Sequence, residues 1–582
     1  MPVPSSISPE LRLSLTAHFQ VLYPAIDADT LIADVAEIFA TANLRTSASG
    51  PIHWSPEDCL LITYGNSVQE PSVAPLKTLA SFLTRHLSGT FSAVHVLPFS
   101  PYSSDDGFAV IDYCEVNPDL GEWSDLTQIA DSHRLMGDLV INHVSSRSQW
   151  FENYLQGVDP GSNYFVEIED GDDLSQVVRP RTSPLMRPTN TKDGLKRLWC
   201  TFSHDQVDLN FRNPNVLMEF LRIIRLYLEH GVSIFRLDAV GFLWKEPGTN
   251  CMHLPETHEV IRLLRTIVDA LAPGTLLITE TNVPNHENLS YFGNRNEAHA
   301  VYNFSLAPLL VHSLISGETN YLKRWLMSMP PAPVGCTYLN FTASHDGIGM
   351  RPAEGLLSEQ EQAQMVDAII RFGGRVSTRQ SADGGERVYE LNISLFDAMK
   401  GTVEGEDDWQ VPRFLCSQTV MMAVEGIPAF YIHSLFATPN DEEGVRESGH
   451  NRSINRHHLD LETLEAALDD PKSQQSIVYR ELTRQLNIRR KQPAFHPNAT
   501  QFTLQVGDPF FAFWRQSRDR DQSIFAVHNM TNRTQELRLT DLNLISLDSW
   551  HDLLSGTEYP DLAATLEVAP YQCLWITNLT QT

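Results

Sequence analysis

Eight short apolar runs, each stopped by polar residues and separated from the next by helical stretches, constrain this chain more than any other feature. They lie at 60–64 before Gly65 and Asn66, and at 93–99 before Ser100-Pro-Tyr-Ser-Ser-Asp-Asp-Gly107. The third, 135–141, precedes Asn142 and His143, and the fourth, 232–238, ends on Asp238. The fifth, 276–279, precedes Glu280, and the sixth, 300–304, precedes Ser305. The last two are 338–343 before Ser344-His345-Asp346 and 428–432 before His433 and Ser434. Apolar runs this short and this continuous read as strands buried on both faces. Strands alternating with helices predict α/β architecture, and eight of them with polar C-terminal ends predict a (β/α)8 TIM barrel. In that barrel the C-terminal ends of the strands face the active site.

The fourth run carries chemistry. Ser233-Ile-Phe-Arg-Leu-Asp-Ala-Val-Gly241 holds one arginine, Arg236, and an acid, Asp238, at the strand end. The two share a strand face. A guanidinium beside a carboxylate keeps the acid ionised, and an ionised carboxylate can act as a nucleophile. Alone, the pair reads equally as a buried structural ion pair. Glu280 and Asp346, at the ends of two other runs, add a second and a third acid. Two carboxylates across a scissile bond equip a site for glycoside chemistry: one attacks the anomeric carbon and the other protonates the leaving oxygen. A third can steady the positive charge of the transition state. His143 and His345 are candidates to hydrogen-bond sugar hydroxyls.

Around the barrel, 56–144 and 206–495, the pattern predicts further units. Residues 1–55 form a helical extension, with Leu11, Leu13, Leu15 and Phe19, then Ile32, Val35, Ile38 and Phe39, at helical spacing. Residues 145–205, rich in Asp, Pro, Gly and Arg, suit a small inserted domain after the third strand. A second long connection after the seventh strand, 347–412, contains Gly373-Gly374 and Gly384-Gly385. A helix near 474–491 closes the barrel. From 500 to 582 alternating runs predict a small all-β domain.

The net charge of −29 argues against nucleic acid or an anionic membrane as partner. It also requires a local basic pocket if the substrate is an anion. The Met1 to Pro9 segment lacks the features of a signal peptide, and no apolar run is long enough to span a membrane. The seven cysteines are scattered and form no CxxC pair, which suits reduced thiols in a cytoplasmic protein and no zinc site. No Gly-rich phosphate loop follows a strand, so no nucleotide or redox cofactor is expected.

With these residues in view, the sequence resembles the α-amylase family of retaining glycoside enzymes, glycoside hydrolase family 13. Asp138-Leu-Val-Ile-Asn142-His143, Phe235-Arg236-Leu-Asp238-Ala, Glu280 and Ser344-His345-Asp346 resemble its four blocks in order, and Gln206-Val-Asp-Leu-Asn210 an additional one. The resemblance implies Asp238 as nucleophile, Glu280 as general acid/base and Asp346 as transition-state stabiliser. It also implies that Arg236 holds Asp238 ionised and that His143 and His345 bind the sugar. Amylase relatives use the asparagine at the position of Asn142 as a calcium ligand. The phosphorylase branch usually lacks the metal, so none is expected here.

Phe99-Ser-Pro-Tyr-Ser-Ser-Asp105-Asp106-Gly107-Phe resembles the sucrose phosphorylase subfamily, as do 241–251, His345-Asp-Gly-Ile-Gly349 and Ser453-Ile-Asn-Arg456. There, by position, Asp105 and Arg456 line the closed end of the sugar pocket. The implied reaction is attack of phosphate on a glucosyl-enzyme, giving α-glucose 1-phosphate. The partners are then a small α-glucoside and inorganic phosphate, with a homodimer as one open assembly. Phosphate needs cations. Arg179, Arg181 and Arg187 in the first insertion and Arg375 and Arg379 in the second are candidates, though each alone reads as a surface arginine. Phe430-Tyr-Ile-His433-Ser434 and Gly449-His-Asn451-Arg452-Ser-Ile-Asn-Arg456 resemble the glucosylglycerate phosphorylase group of the same subfamily. Its substrate carries a carboxylate, for which Arg452 or the loop arginines are candidates. Sucrose, sucrose 6-phosphate and glucosylglycerol stay open as substrates, as does hydrolysis or transglucosylation.

Overall fold

The computed structural model describes residues 7–45, 54–380, 386–544 and 549–578. Met1 to Ser6, Gly384-Gly385 and the ends of the two terminal units lie outside the described residues. The eight apolar runs become eight parallel strands: β1 Leu60–Thr63, β2 Ala93–Val96, β3 Arg134–Val140, β4 Val232–Asp238, β5 Leu276–Thr279, β6 Ala300–Tyr302, β7 Thr337–Asn340 and β8 Ile427–Tyr431. They close into one barrel in sequence order, with β8 hydrogen-bonded to β1. Their side chains are almost all buried because helices cover the outside and packed side chains fill the inside. Register sets the level of the site: Asp238 lies opposite Val140 of β3, and Leu237 opposite Thr279 of β5. Asn142, Asp238 and Glu280 therefore emerge at one end of three adjacent strands.

Two insertions build the walls above that end. After β3 the chain forms a short strand, His143–Ser145, antiparallel to Gln206–Asp208, so the start and finish of the first insertion are stitched together. Between them lie a helix, Gln149–Gln156, and a hairpin, Met186–Thr191 with Gly194–Trp199. After β7, Ile348–Gly349 pairs with Glu386–Asn392, which pairs in turn with Arg375–Gln380. This hairpin lies hard against the residues that follow Asp346. A Cβ at Gly347 would come 2.4 Å from the carbonyl oxygen of Leu391, and one at Gly349 would meet the Asn282 amide at 2.8 Å. The glycines of Asp346-Gly-Ile-Gly349 are there for close approach.

The N-terminal helices, Pro9–Leu22 and Ala28–Ala40, lie on the barrel helices Pro255–Leu271 and Pro214–Glu229. Leu11, Leu15, Phe19 and Leu22 make the buried stripe of the first helix. Leu13, grouped with them by spacing, is 74% exposed, because two residues along a helix is a 200° turn away from the stripe. The barrel closes with the helix Gln474–Arg489. The C-terminal region is all β, a five-stranded antiparallel sheet plus a two-stranded one around its own apolar core. No helix among the described residues is long and apolar enough to cross a membrane.

Candidate active site

The C-terminal ends of the strands open into a pocket of about 720 Å³ that includes its mouth. Asp238, Glu280 and Asp346 all line it, with Asp105, His143, Arg236 and His345. The strand ends and loops that the sequence singles out thus meet in one place.

Arg236 donates through Nη1 to Asp238 Oδ1 at 2.7 Å and to Asp138 Oδ1 at 2.5 Å. Asp138, on β3, also meets His95 Nε2 of β2 at 2.7 Å. Burial works to raise the Asp138 carboxyl, but His95 and Arg236 outweigh it and bring it down to about 2. Sequence reading gave Asp138 no role beyond membership of a block, and its partners are long-range contacts invisible in local pattern. Glu280 follows β5, and its Oε2 accepts the Ala239 backbone N–H at 3.1 Å, which seats its carboxyl beside the Asp238 strand end. Ala239 turns there with a left-handed φ of 52°, a strained conformation for a residue with a side chain.

Burial raises the carboxyl of Glu280, and burial together with Glu280 raises that of Asp238 against the opposing pull of Arg236. Two such carboxyls titrate as a pair and keep one proton to higher pH than either would alone. The hydrogen bonds decide where it sits. Asp238 accepts a charge-assisted bond, whereas Glu280 accepts only a backbone N–H. The proton belongs on Glu280.

Asp346 is different. Burial works to raise it, but Arg452 and then Arg236 hold it below the usual carboxylate range. Arg452 Nη1 lies 2.7 Å from Asp346 Oδ1. The same guanidinium makes a two-point contact with Glu390, through Nη2 at 2.8 Å and Nε at 3.0 Å. Glu390 is 2% exposed and comes from the hairpin after β7.

His345 stacks on Phe108 at 5.0 Å between ring centroids, and burial, with Arg236 and Arg456 near, keeps it neutral. Its Nδ1 is buried without a partner among the described residues. His143 is already engaged. Its Nε2 donates to the carbonyl oxygen of Phe108 at 2.9 Å, and its Nδ1 accepts from the Asn142 side chain at 3.2 Å. Gln206, which sequence reading placed only in a block, ties Asp105 Oδ2 to this wall through Nε2 at 3.2 Å. Arg456 sits behind the pocket, paired with Asp106 rather than Asp105, and donates through Nε to the carbonyl oxygen of His345 at 2.8 Å.

Asn142 and Asp208 are the residues toward which a calcium ion would be sought, and they do not fit one. Lys245 Nζ lies 2.5 Å from Asn142 Oδ1 and 2.7 Å from Asp208 Oδ2, so an ammonium supplies the positive charge there.

The chain is similar over nearly its whole length to known proteins. Residues 89–331 match the family described as alpha amylase, catalytic domain. A glucosylglycerate phosphorylase of Allomeiothermus silvanus is 41% identical over 98% of this chain and 100% of its own. The chain belongs to the α-amylase family, in its sucrose phosphorylase subfamily. A glucosylglycerate phosphorylase of Escherichia coli K12 is 39% identical over 97% of this chain and 100% of its own. Among solved structures, sucrose 6F-phosphate phosphorylase from Thermoanaerobacter thermosaccharolyticum superposes with a TM-score of 0.71 at 25% identity, covering 83% of this chain and 96% of that one.

This α-amylase-family chain sorts the candidate arginines sharply. Arg181 and Arg452 line the pocket. Arg187 is turned away, donating to the carbonyl oxygen of His204 at 2.7 Å and lying over the Phe151 ring. Arg375 pairs with Glu442 at 3.0 Å and Arg379 with Glu354 at 2.6 Å, neither at the pocket wall. Arg179 is outside it too, partly buried near Asp208 and Cys200. One arginine at the wall, Arg351, was not singled out by sequence. It lies five residues beyond Asp346, and that proximity is the signal that could have found it.

Proposed function

We propose that the chain is a retaining glucosylglycerate phosphorylase, converting 2-O-α-glucosylglycerate and inorganic phosphate to α-glucose 1-phosphate and glycerate. The observation that carries this reading is the pocket itself: Asp238, Glu280 and Asp346 at one wall, with Arg236 on Asp238, Arg452 on Asp346 and further guanidinium groups beside them. The full-length likeness to glucosylglycerate phosphorylases supports the choice of substrate.

Asp238, ionised beside Arg236, attacks the anomeric carbon. Glu280 gives its proton to the glycosidic oxygen, and glycerate leaves. Asp346, held ionised by Arg452, steadies the oxocarbenium-like transition state and then the glucosyl ester of Asp238. Phosphate enters from the side glycerate left. Glu280, now a base, takes a proton from a phosphate hydroxyl as its oxygen attacks the anomeric carbon, and Asp238 is released. Two inversions give net retention. His345 and Asp105 contact the sugar hydroxyls, and His143 and Gln206 hold that wall in shape. Arg456 braces His345 and Asp106 from behind. Seven free cysteines, five of them buried, suit a reducing interior, and we place the enzyme in the cytoplasm.

The test is to incubate 2-O-α-glucosylglycerate with the protein with and without phosphate and to follow products by NMR. α-Glucose 1-phosphate formed only with phosphate is the expected result. Glucose released at the same rate in its absence would make the protein a hydrolase.

A further inference from the structure

The pocket must admit anions into a chain of net charge −29 and past four lining carboxyls, those of Asp105, Asp238, Glu280 and Asp346. Four guanidinium groups line the same space: Arg181, Arg236, Arg351 and Arg452. Two of them are already neutralised. Arg236 is shared by Asp138 and Asp238. Arg452 is shared by Asp346 and Glu390, with its Nε, Nη1 and Nη2 all committed to carboxylate oxygens. An anion approaching Arg452 meets a cluster whose net charge is negative.

Arg181 and Arg351 stand apart. Neither makes a side-chain hydrogen bond or an ion pair among the described residues. Arg351 Nε is buried with no partner among the described residues. Arg181 is held by aromatic faces instead of acids, over Tyr389 at 5.4 Å and Phe202 at 5.9 Å. Stacking of this kind fixes the plane of a guanidinium and leaves its N–H edge free for a planar or tetrahedral oxyanion. The two arginines come from different walls, Arg181 from the insertion after β3 and Arg351 from the segment after Asp346. The hairpin after β7 serves both arrangements: Tyr389 packs on Arg181, while its neighbour Glu390 occupies Arg452.

We propose that Arg351, together with Arg181, forms the anion subsite of the pocket and holds inorganic phosphate in one direction and the carboxylate of a small hydroxy acid in the other, with Arg452 reserved for Asp346. Assigning these two anions rests on the proposed function above. Discrimination between a charged acceptor and a neutral one then resides in Arg351.

Calorimetric titration with inorganic phosphate and with D-glycerate tests this apart from turnover. Arg351→Gln is expected to weaken both about tenfold or more, the loss of one charge-assisted contact, and to raise KM for phosphate with a smaller change in kcat. Arg351→Lys should recover part of the affinity. If Arg351→Gln is poorly folded by its thermal melt, Arg351→Lys and Arg181→Gln carry the same comparison. Unchanged phosphate affinity in the well-folded Arg351→Gln protein, or in both substitutes, would overturn the proposal. Wild-type protein that binds phosphate through Arg351 but turns over no glucosylglycerate would refute the functional reading and leave the anion subsite standing.

Discussion

Asp238 is buried and Glu280 half-buried in the same pocket, and the hydrogen bonds of a single guanidinium separate their roles. Arg236 bonds Asp238 and leaves Glu280 with a backbone N–H. The pair should therefore lose its shared proton only above the ordinary carboxyl value of 4.5, since Glu280 is raised from it. The alkaline limb of kcat/KM should lie above that value, and Glu280→Gln should abolish the limb along with most of the rate. Asp138 makes an opposite prediction in acid. Its folded-state carboxyl is depressed from 3.8 to about 2, so its stabilising contribution is complete above 3.8 and is lost as pH falls toward 2. Asp138→Asn should lower stability by about 3 kcal/mol at neutral pH, because Arg236 and His95 would then face a buried amide. Denaturant midpoints for both proteins between pH 6 and pH 2 should converge as the wild type loses that advantage.

At the scale of elements, the insertions do more than cover the barrel. The hairpin of Arg375–Gln380 and Glu386–Asn392 reaches Arg452 with Glu390. Glu390→Gln removes half of the negative charge that holds Arg452. We expect kcat to fall about tenfold, by the loss of one charged hydrogen bond, while KM for phosphate does not rise. A rise in KM with kcat intact would make Arg452 an anion ligand instead. The first insertion is pinned where His143–Ser145 meets Gln206–Asp208, and Lys245 is the charge at that pin. Lys245→Met should destabilise the protein by about 3–5 kcal/mol, because Asp208 would be left buried without its cation. Treating the wild type with a chelator should leave its melting temperature where it was.

Across the whole molecule, the barrel was legible because its strands are buried on both faces and so read as unbroken apolar runs ending in polar residues. The three acids were legible for the same reason: each ends such a run or follows it within a few residues. Leu13 was misgrouped because a loose apolar count does not distinguish two faces of one helix. Which of the candidate loop arginines reach the pocket was not legible. Arg187, Arg375 and Arg379 look like Arg181 in sequence, and what separates them is a distant carbonyl or carboxylate, His204, Glu442 or Glu354. Glu390 was hidden likewise, one of two acids in an alternating strand more than a hundred residues from Glu280, and only the fold shows that it faces Arg452.

The acceptor separates a glucosylglycerate phosphorylase from the other phosphorylases of the subfamily. The direct measurement is phosphate release from α-glucose 1-phosphate offered with glycerate, glycerol, fructose or fructose 6-phosphate. Rapid release with glycerate and a retained α-linkage in the product is the expected result. Release with fructose or fructose 6-phosphate but not with glycerate would contradict it.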